Sequence, residues 1–337
     1  MTEDATPEPR ELNLLSIVVA MYDEEPIVDV FFERIDRAVK DLGCRVEYVI
    51  VNDGSRDRTL ALLLERMRRD ARLRIIDLTR NFGKEAAMTV GLEHARGDAV
   101  VLIDADLQDP PELIGEFVAR WREGYDNVYG ARISRRLDSV LKRATAWGFY
   151  AIFNRISNVR IPRDAGDFRL LDRRAVDALL ALPERNRFMK GLFAWVGFRQ
   201  IGVPFERQRR VGGTTSWNYW KLWNFAVDGM TSFSDAPLRL AGLVGSAISG
   251  FGLLYALYLV IRTMVYGIDV PGYASLMVAI LFLGGVQLLC LGVLGEYIGR
   301  LYIEAKGRPL YLVSHVYEQN PAESGKAAPA ILRLSGE

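Results

Sequence analysis

The period of the apolar positions changes repeatedly along the chain, and each change marks an element. Residues 15–21 are a short β-branched run ending in polar residues, which predicts a first strand. Residues 26–42 place apolar side chains at helical spacing. A second strand is predicted at 46–51, followed by Asn52-Asp53-Gly54-Ser55 and an amphipathic helix running to residue 71. Strands at 74–78, 99–103 and 127–130 then alternate with helices at 85–95 and 111–123. Such alternation implies an α/β fold, a mostly parallel sheet with helices on both faces. Ligands of such sheets bind beyond the carboxyl ends of the strands. The polar clusters of this sequence fall at those ends.

Farther along, the pattern turns aromatic and basic. Residues 139–159 carry Lys142, Arg143, Trp147, Phe149, Tyr150 and Phe153, and residues 217–233 carry Trp220, Trp223, Phe225 and Phe233. Both read as helices lying at a membrane interface, where rings and cations are favoured; packing against the head would give the same composition. Two uncharged apolar stretches follow, at 240–261 and 274–294, each long enough to span the hydrocarbon core. A short connection at 262–272 joins them, so both termini are expected on one side. Lys142, Arg143 and Lys221 before the first span, with Lys306 and Arg308 after the second, place that side in the cytoplasm. Gly242, Gly245, Gly250, Gly284, Gly285 and the Gly295/Gly299 pair would permit close helix packing within or between chains, and a homo-oligomer is expected. Glu296 and Arg300 are spaced to pair along one helix. The tail after Tyr317 is polar and expected to be disordered.

Composition adds location. Half of the 337 residues are hydrophobic, and the excess lies after Pro237, so a water-soluble head joined to a membrane segment is expected. The net charge of +1 hides an uneven distribution: residues 132–221 hold 19 basic and 7 acidic side chains. A phosphorylated substrate or an anionic bilayer would account for that excess, and so would a solvated basic face. The two cysteines, Cys44 and Cys290, build neither a disulfide framework nor a cysteine metal site. The acidic, Pro-containing segment 1–11 has no apolar core and does not read as a signal peptide.

The strongest chemical signal is Asp104-Ala105-Asp106-Leu107-Gln108-Asp109, directly after the predicted strand at 99–103. Two carboxylates on a turn at the ligand edge of a sheet suit a hard divalent cation whose other ligands come from a diphosphate. A lone D-x-D is weak. Here Asp53 follows the second strand and Tyr22-Asp23-Glu24-Glu25 the first, so three strand ends on one edge point to a nucleotide pocket. No G-x-G-x-x-G follows the first strand and no G-x-x-x-x-G-K-[ST] occurs, which counts against the dinucleotide and P-loop readings. His94 and His315 read as structural or solvated. Lys84 lies near the donor or simply starts a surface helix.

In order, V-V-A-M-Y-D-E-E, V-N-D-G-S, R-N-F-G-K-E, D-A-D-L-Q-D-P-P-E, G-D-F-R-L-L-D and R-V-G-G-T-T-S-W resemble the inverting family 2 glycosyltransferases of GT-A fold. Within them the chain is similar to the dolichyl-phosphate mannose synthase branch, especially bacterial polyprenyl-phosphate (bactoprenol) glucosyltransferases with two C-terminal spans. The resemblance covers residues 14–308. It implies that Ala20, Tyr22, Glu24, Val51 and Asp53 line the nucleotide, with Asp104, Ala105, Asp106 and Arg210 on the rest of the donor. Asp104, Asp106 and Gln108 would surround Mg2+ or Mn2+. Arg132, Lys142 and Arg143 would receive the acceptor's phosphate, and Asp167 occupies the place of a catalytic carboxylate. Asp23 stands where the family more often has Asn, and Ser216 where Lys is common.

The resulting division is a flexible N-terminus at 1–13, a cytoplasmic GT-A domain at 14–215, a juxtamembrane amphipathic helix at 216–237, two transmembrane helices at 238–300 and a cytoplasmic tail at 301–337. The expected enzyme sits in a bacterial inner membrane and moves a sugar from a nucleotide-sugar, with UDP-glucose leading, to a polyprenyl phosphate. UDP-N-acetylglucosamine, GDP-mannose and an aminoarabinose donor stay open. Membrane lipids are expected partners and nucleic acid is not, since no recognised module is visible. By the same resemblance, a processive synthase would need more spans and a Q-x-x-R-W motif, which is missing. A catalytically silent scaffold is disfavoured because Asp104, Asp106 and Arg210 are all present.

Overall fold

The computed structural model describes residues 10–133, 162, 165–185, 187–206, 234, 236–266 and 272–319. The predicted α/β alternation is there, with element ends that differ by a few residues. Strands β1 (Leu14–Met21), β2 (Arg45–Asn52), β3 (Leu73–Leu78), β4 (Ala99–Leu102) and β5 (Asn127–Arg132) alternate with helices α1 (Val28–Val39), α2 (Thr59–Arg69), α3 (Lys84–His94) and α4 (Ile114–Arg122). Strand β6 (Ala165–Asp172), helices α5 (Arg173–Leu180) and α6 (Met189–Trp195), and strand β7 (Gln200–Phe205) complete the head, and β8 (Val313–Glu318) returns to it from the far end of the chain. The eight strands lie in the order β7-β5-β6-β4-β1-β2-β3-β8. Neighbours pair in parallel except where β6 meets β4 and β5, and where β8 meets β3.

The sheet is buried on both faces. Helix α1 turns Val28, Phe31, Phe32, Ile35 and Val39 inward at helical spacing, and they join Tyr48, Phe117, Trp121 and Phe168 in one core. Each such side chain contributes roughly 1.5–3 kcal/mol by leaving water. The opposite face packs Val18, Val49, Val51 and Ile76 against α3, α5 and α6. Helix α3 is buried from Ala86 to Leu92, so it has no polar stripe to announce it as amphipathic. Gly91 lets it settle on the sheet: a Cβ there would stand 2.2 Å from Val18 Cγ1.

Residues 301–337, expected as a tail, begin instead as the end of the second long helix and then return as β8, antiparallel to β3 at the sheet edge. His315 lies in that strand. The strand is pinned by Glu318, whose carboxylate accepts from Arg74 at 2.7 Å and Arg96 at 3.0 Å. The Arg74 and Glu318 side chains are 7% and 19% exposed. Burial alone would raise the Glu318 pKa, but the two arginines outweigh it and hold it below the usual range. A carboxylate whose folded pKa is depressed contributes stability above its unfolded value, and loses it as pH falls through the folded one. Glu318→Ala is therefore expected to cost about 1.5–3 kcal/mol at neutral pH. In thermal unfolding, its gap from wild type should close on acidification.

Helices α7 (Ala236–Tyr266) and α8 (Tyr273–Ala305) have 31 and 33 residues, so at 1.5 Å per residue they are about 46 and 50 Å long. Both are long and apolar enough to cross a membrane, and nothing buries their apolar windows. They overrun the predicted spans at both ends. The predicted loop at 262–272 is accordingly shorter, because residues 262–266 are helical. Glu296 and Arg300 pair at 3.0 Å, as their spacing predicts. Among the described residues, a Cβ at Gly242, Gly245, Gly250, Gly284, Gly285, Gly295 or Gly299 would meet nothing within 4 Å. The interfacial helices predicted at 139–159 and 217–233 lie outside the described residues.

Candidate active site

The ends of β1, β2, β4 and β5 and the start of β6 meet at one edge of the sheet. The loops after β1 and β2 brace each other. Asp23 takes a left-handed backbone (φ 52°), which short polar residues such as Asp and Asn tolerate best after glycine. Its carboxylate accepts from Arg56 N at 2.7 Å, its own N–H donates to Ser55 Oγ at 3.0 Å, and Glu24 N–H donates to Thr59 Oγ1 at 2.9 Å. Tyr22 stands exposed on this rim. Gly54, also left-handed (φ 69°), lets the second loop pass the third: a Cβ there would sit 2.4 Å from the Arg80 carbonyl carbon.

Asp53 is buried at the centre of the rim, and both its oxygens are engaged. They accept from the backbone N–H of Phe82 at 2.7 Å and of Gly83 at 3.0 Å. Burial pushes its pKa up against those two amides. Asp53 thus anchors the loop that delivers Lys84, in addition to any contact it makes with a ligand.

Lys84 opens α3 and reaches across the edge. Its Nζ lies 2.6 Å from Asp104 Oδ1, 2.8 Å from Asp104 Oδ2 and 2.6 Å from Asp167 Oδ2. Burial opposes the ammonium's charge, but Asp104 and Asp167 outweigh it and hold its pKa well above the lysine range. For Asp167, burial would raise the pKa. Lys84, Lys190 and Arg169 overcome that and hold the carboxyl far below its usual range. Its other oxygen, Oδ1, is buried and has no hydrogen-bond partner among the described residues. Glu85, beside Lys84, is raised by burial and by Asp167, and accepts from Met189 N–H at 3.2 Å.

The Asp104–Asp109 turn closes through Asp106, whose Oδ1 accepts from Gln108 N at 3.1 Å, with Leu107 left-handed (φ 54°). Arg132, at the end of β5, lies against Gly166 and 3.8 Å from Asp109. Its buried Nε has no partner among the described residues.

Asp53, Asp104, Asp106, Gln108, Arg132 and Asp167 therefore share one edge with Tyr22 and Glu24. Ala20 sits half-buried at the end of β1. The side chains of the donor candidates Val51 and Ala105 are buried in the two cores, which leaves their backbone to face a ligand. Lys142, Arg143 and Arg210 lie outside the described residues. Sequence reasoning leaves Lys84 undecided and passes over Asp109, Glu85 and Lys190; only the R-N-F-G-K-E stretch gives a hint of the first.

The glycosyl transferase family 2 profile matches residues 16–180, and a profile described as the GtrB C-terminal hairpin matches residues 236–301. An uncharacterized glycosyltransferase of Synechocystis sp. is 54% identical over 303 residues, covering 90% of this chain and 95% of that one. The chain belongs to glycosyl transferase family 2. This glycosyltransferase is also 45% identical to an SfII prophage-derived bactoprenol glucosyl transferase of Shigella flexneri, across 91% of its own length and 99% of the relative's. It is 43% identical to a prophage bactoprenol glucosyl transferase homolog of Escherichia coli (strain K12), across 90% and 99%. Among solved structures, a mannosyltransferase of Pyrobaculum calidifontis in complex with GDP-Man and Mn2+ overlaps 89% of this chain and 90% of its own. The TM-score is 0.46 at 16% identity, a loose likeness.

The glycosyltransferase's donor set fits a hard divalent cation. Asp104, Asp106 and Gln108 offer oxygen ligands, and the place beside Asp104 already holds a positive charge in Lys84 Nζ. Among the described residues no three of His, Cys, Asp or Glu converge on one point, so a bound diphosphate would supply the remaining ligands.

Proposed function

We propose that this glycosyltransferase moves glucose from UDP-glucose to a polyprenyl phosphate at the cytoplasmic face of a bacterial inner membrane, inverting the anomeric carbon. The observation that carries the proposal is the meeting of Asp104, Lys84, Asp167 and Arg132 at one sheet edge. Carboxylates for a metal-borne diphosphate stand beside a cation for a second phosphate. The names of the bactoprenol glucosyl transferase relatives, matched over nearly their whole length, support this pair of substrates.

Asp104, Asp106 and Gln108 would hold Mg2+ or Mn2+, which would supply charge neutralisation for the departing diphosphate. Tyr22, Glu24 and Asp53 form the rim that takes the nucleoside, and Arg210 clamps the diphosphate. The acceptor is a phosphate monoester with a second pKa of about 6. Already ionised at neutral pH, it needs no strong general base. Asp167 suits that economy. Held far below the carboxylate range, it is a poor proton acceptor, and its Oδ1, unpartnered among the described residues, can orient a sugar hydroxyl. Arg132, with Lys142 and Arg143, fixes the acceptor phosphate for in-line attack and offsets repulsion between two anionic substrates. An α-linked donor then gives a β-linked lipid product. NMR of the lipid made from UDP-glucose by the detergent-solubilised protein tests this directly: a β-glucosyl phosphate is expected. An α product, or free glucose alone, would refute it.

The anchor is the α7–α8 hairpin, with the head and both ends of the chain in the cytoplasm and the 267–271 connection outside. Gly267→Cys and Gln319→Cys, each made singly in a chain lacking Cys44 and Cys290, report the arrangement. In intact cells an impermeant reagent should label the first and spare the second; the reverse pattern contradicts it. The glycines that face open space on α7 and α8 also suit close approach by a second copy. Light scattering in detergent should therefore give more than one chain per particle, and a monomer would remove this part of the proposal.

A further inference from the structure

Lys84 touches both Asp104 and Asp167, donating one hydrogen bond to Asp104 Oδ2 and one to Asp167 Oδ2. An ammonium has three N–H donors, and three carboxylate oxygens lie within 2.6–2.8 Å of Nζ: both of Asp104 and one of Asp167. Asp104 rises from the end of β4 and Asp167 from the start of β6, while Lys84 descends from α3. Lys84 is therefore the tie between two strands' carboxylates. Its own placement is fixed at the root, because Asp53 grips the N–H groups of Phe82 and Gly83 directly before it.

Lys84 Nζ sits against both Asp104 oxygens and puts a positive charge beside the lone pairs that remain, where a divalent cation would bind. With Nζ within hydrogen-bond distance of both Asp104 oxygens, ammonium and metal cannot each have full use of that carboxylate. We propose that Lys84 is a positioning residue and resident counter-ion: it holds Asp104 and Asp167 in register while the donor is absent, and it competes with the divalent cation for Asp104. This rests on the metal-dependent donor site proposed above and adds an order to it. Metal alone binds poorly because it must displace an ammonium that then keeps only Asp167. Metal arriving with a nucleotide diphosphate brings a new anionic partner for Lys84, so the exchange is balanced. The device favours loading of the complete donor and disfavours a bare ion that would draw Asp104 out of place.

The consequence has an unusual sign, since removing a cation from beside Asp104 should improve metal binding. A charge-assisted contact of this kind corresponds to about ten- to a hundredfold in affinity. Mn2+ is titrated into the full-length, detergent-solubilised protein and free ion is read by electron paramagnetic resonance, first alone and then with UDP. Without UDP, Lys84→Met is expected to bind Mn2+ about ten- to a hundredfold tighter than wild type, and Lys84→Arg to remain near wild type. With UDP, the advantage of Lys84→Met should shrink, because the variant lacks the ammonium that the diphosphate would engage. Lys84→Gln serves in the same way should the Met variant fail to fold. Adding Asp104→Asn to Lys84→Met should erase the gain. Equal or weaker binding of Mn2+ alone by the folded Lys84 variants overturns the competition, as does a gain that survives Asp104→Asn. If wild type binds no Mn2+ even with UDP, the metal-dependent donor site itself fails, and the competition falls with it.

Discussion

Asp104→Ala and Asp106→Ala are each expected to lower sugar transfer by at least about a thousandfold while leaving a folded protein. A divalent cation contributes several kcal/mol of charge stabilisation in the transition state, and roughly 1.4 kcal/mol corresponds to tenfold in rate. The two variants fail for different reasons. In the proposed site Asp104 is shared between Lys84 and the cation, so its loss would remove a ligand and leave Lys84 paired with Asp167 alone. Asp106 also closes its own turn by accepting from Gln108 N, so its loss would release the third proposed ligand as well. Initial rates with UDP-glucose and polyprenyl phosphate, read beside thermal unfolding, check both. Undiminished transfer by either variant, or in EDTA, is incompatible with the metal assignment.

Arg132→Ala and Asp53→Ala should separate the two substrates. Arg132 stands at the end of β5 beside Gly166, with β6 and β4 between it and the braced loops after β1 and β2, and its buried Nε has no partner among the described residues. Losing a charge-assisted contact to the acceptor phosphate costs about 1.5–3 kcal/mol, or ten- to a hundredfold. Arg132→Ala should therefore raise the apparent KM for polyprenyl phosphate, or lower turnover with it, and leave affinity for UDP near wild type. Asp53→Ala should do the opposite. It removes the acceptor of the Phe82 and Gly83 N–H groups and so displaces the loop that carries Lys84. Calorimetry with UDP and Mg2+ beside an acceptor titration distinguishes them. Lost nucleotide binding with intact acceptor kinetics in Arg132→Ala would misplace the lipid phosphate.

Strands β1 to β5 and helices α1, α2 and α4 are legible in the sequence because each advertises itself locally, by a β-branched run or by apolar residues at helical spacing, whereas α3, buried from Ala86 to Leu92, shows no such stripe. Strands β6, β7 and β8 are not legible. Strand β6 reads AGDFRLLD, with Asp167 and Arg169 inside it, and those charges are tolerated only because partners from α3 and α6 meet them. Strand β7 contains Gly202 and Pro204, which argue against a strand until its place at the sheet edge is known. Strand β8 pairs with β3, from the opposite end of the chain, and no local pattern carries that information. The site divides in the same way. That Asp104, Asp106 and Asp53 lie at one sheet edge is legible because they follow predicted strands. The tie through Lys84 is hidden because the meeting of α3, β4 and β6 is a property of the sheet, not of any stretch of chain. The side chains of Val51 and Ala105 point into the cores, an orientation that their places in the sequence do not reveal.

The most direct test of the central claim is a donor panel. The purified, full-length protein is incubated with polyprenyl phosphate, Mg2+ and UDP-glucose, UDP-N-acetylglucosamine or GDP-mannose in turn, and the lipid fraction is read by mass spectrometry. The proposed site predicts a lipid phosphate heavier by one hexose with UDP-glucose, absent in EDTA and absent with Asp104→Ala. An unchanged lipid with every donor, or a hexose product that persists in EDTA, would contradict it.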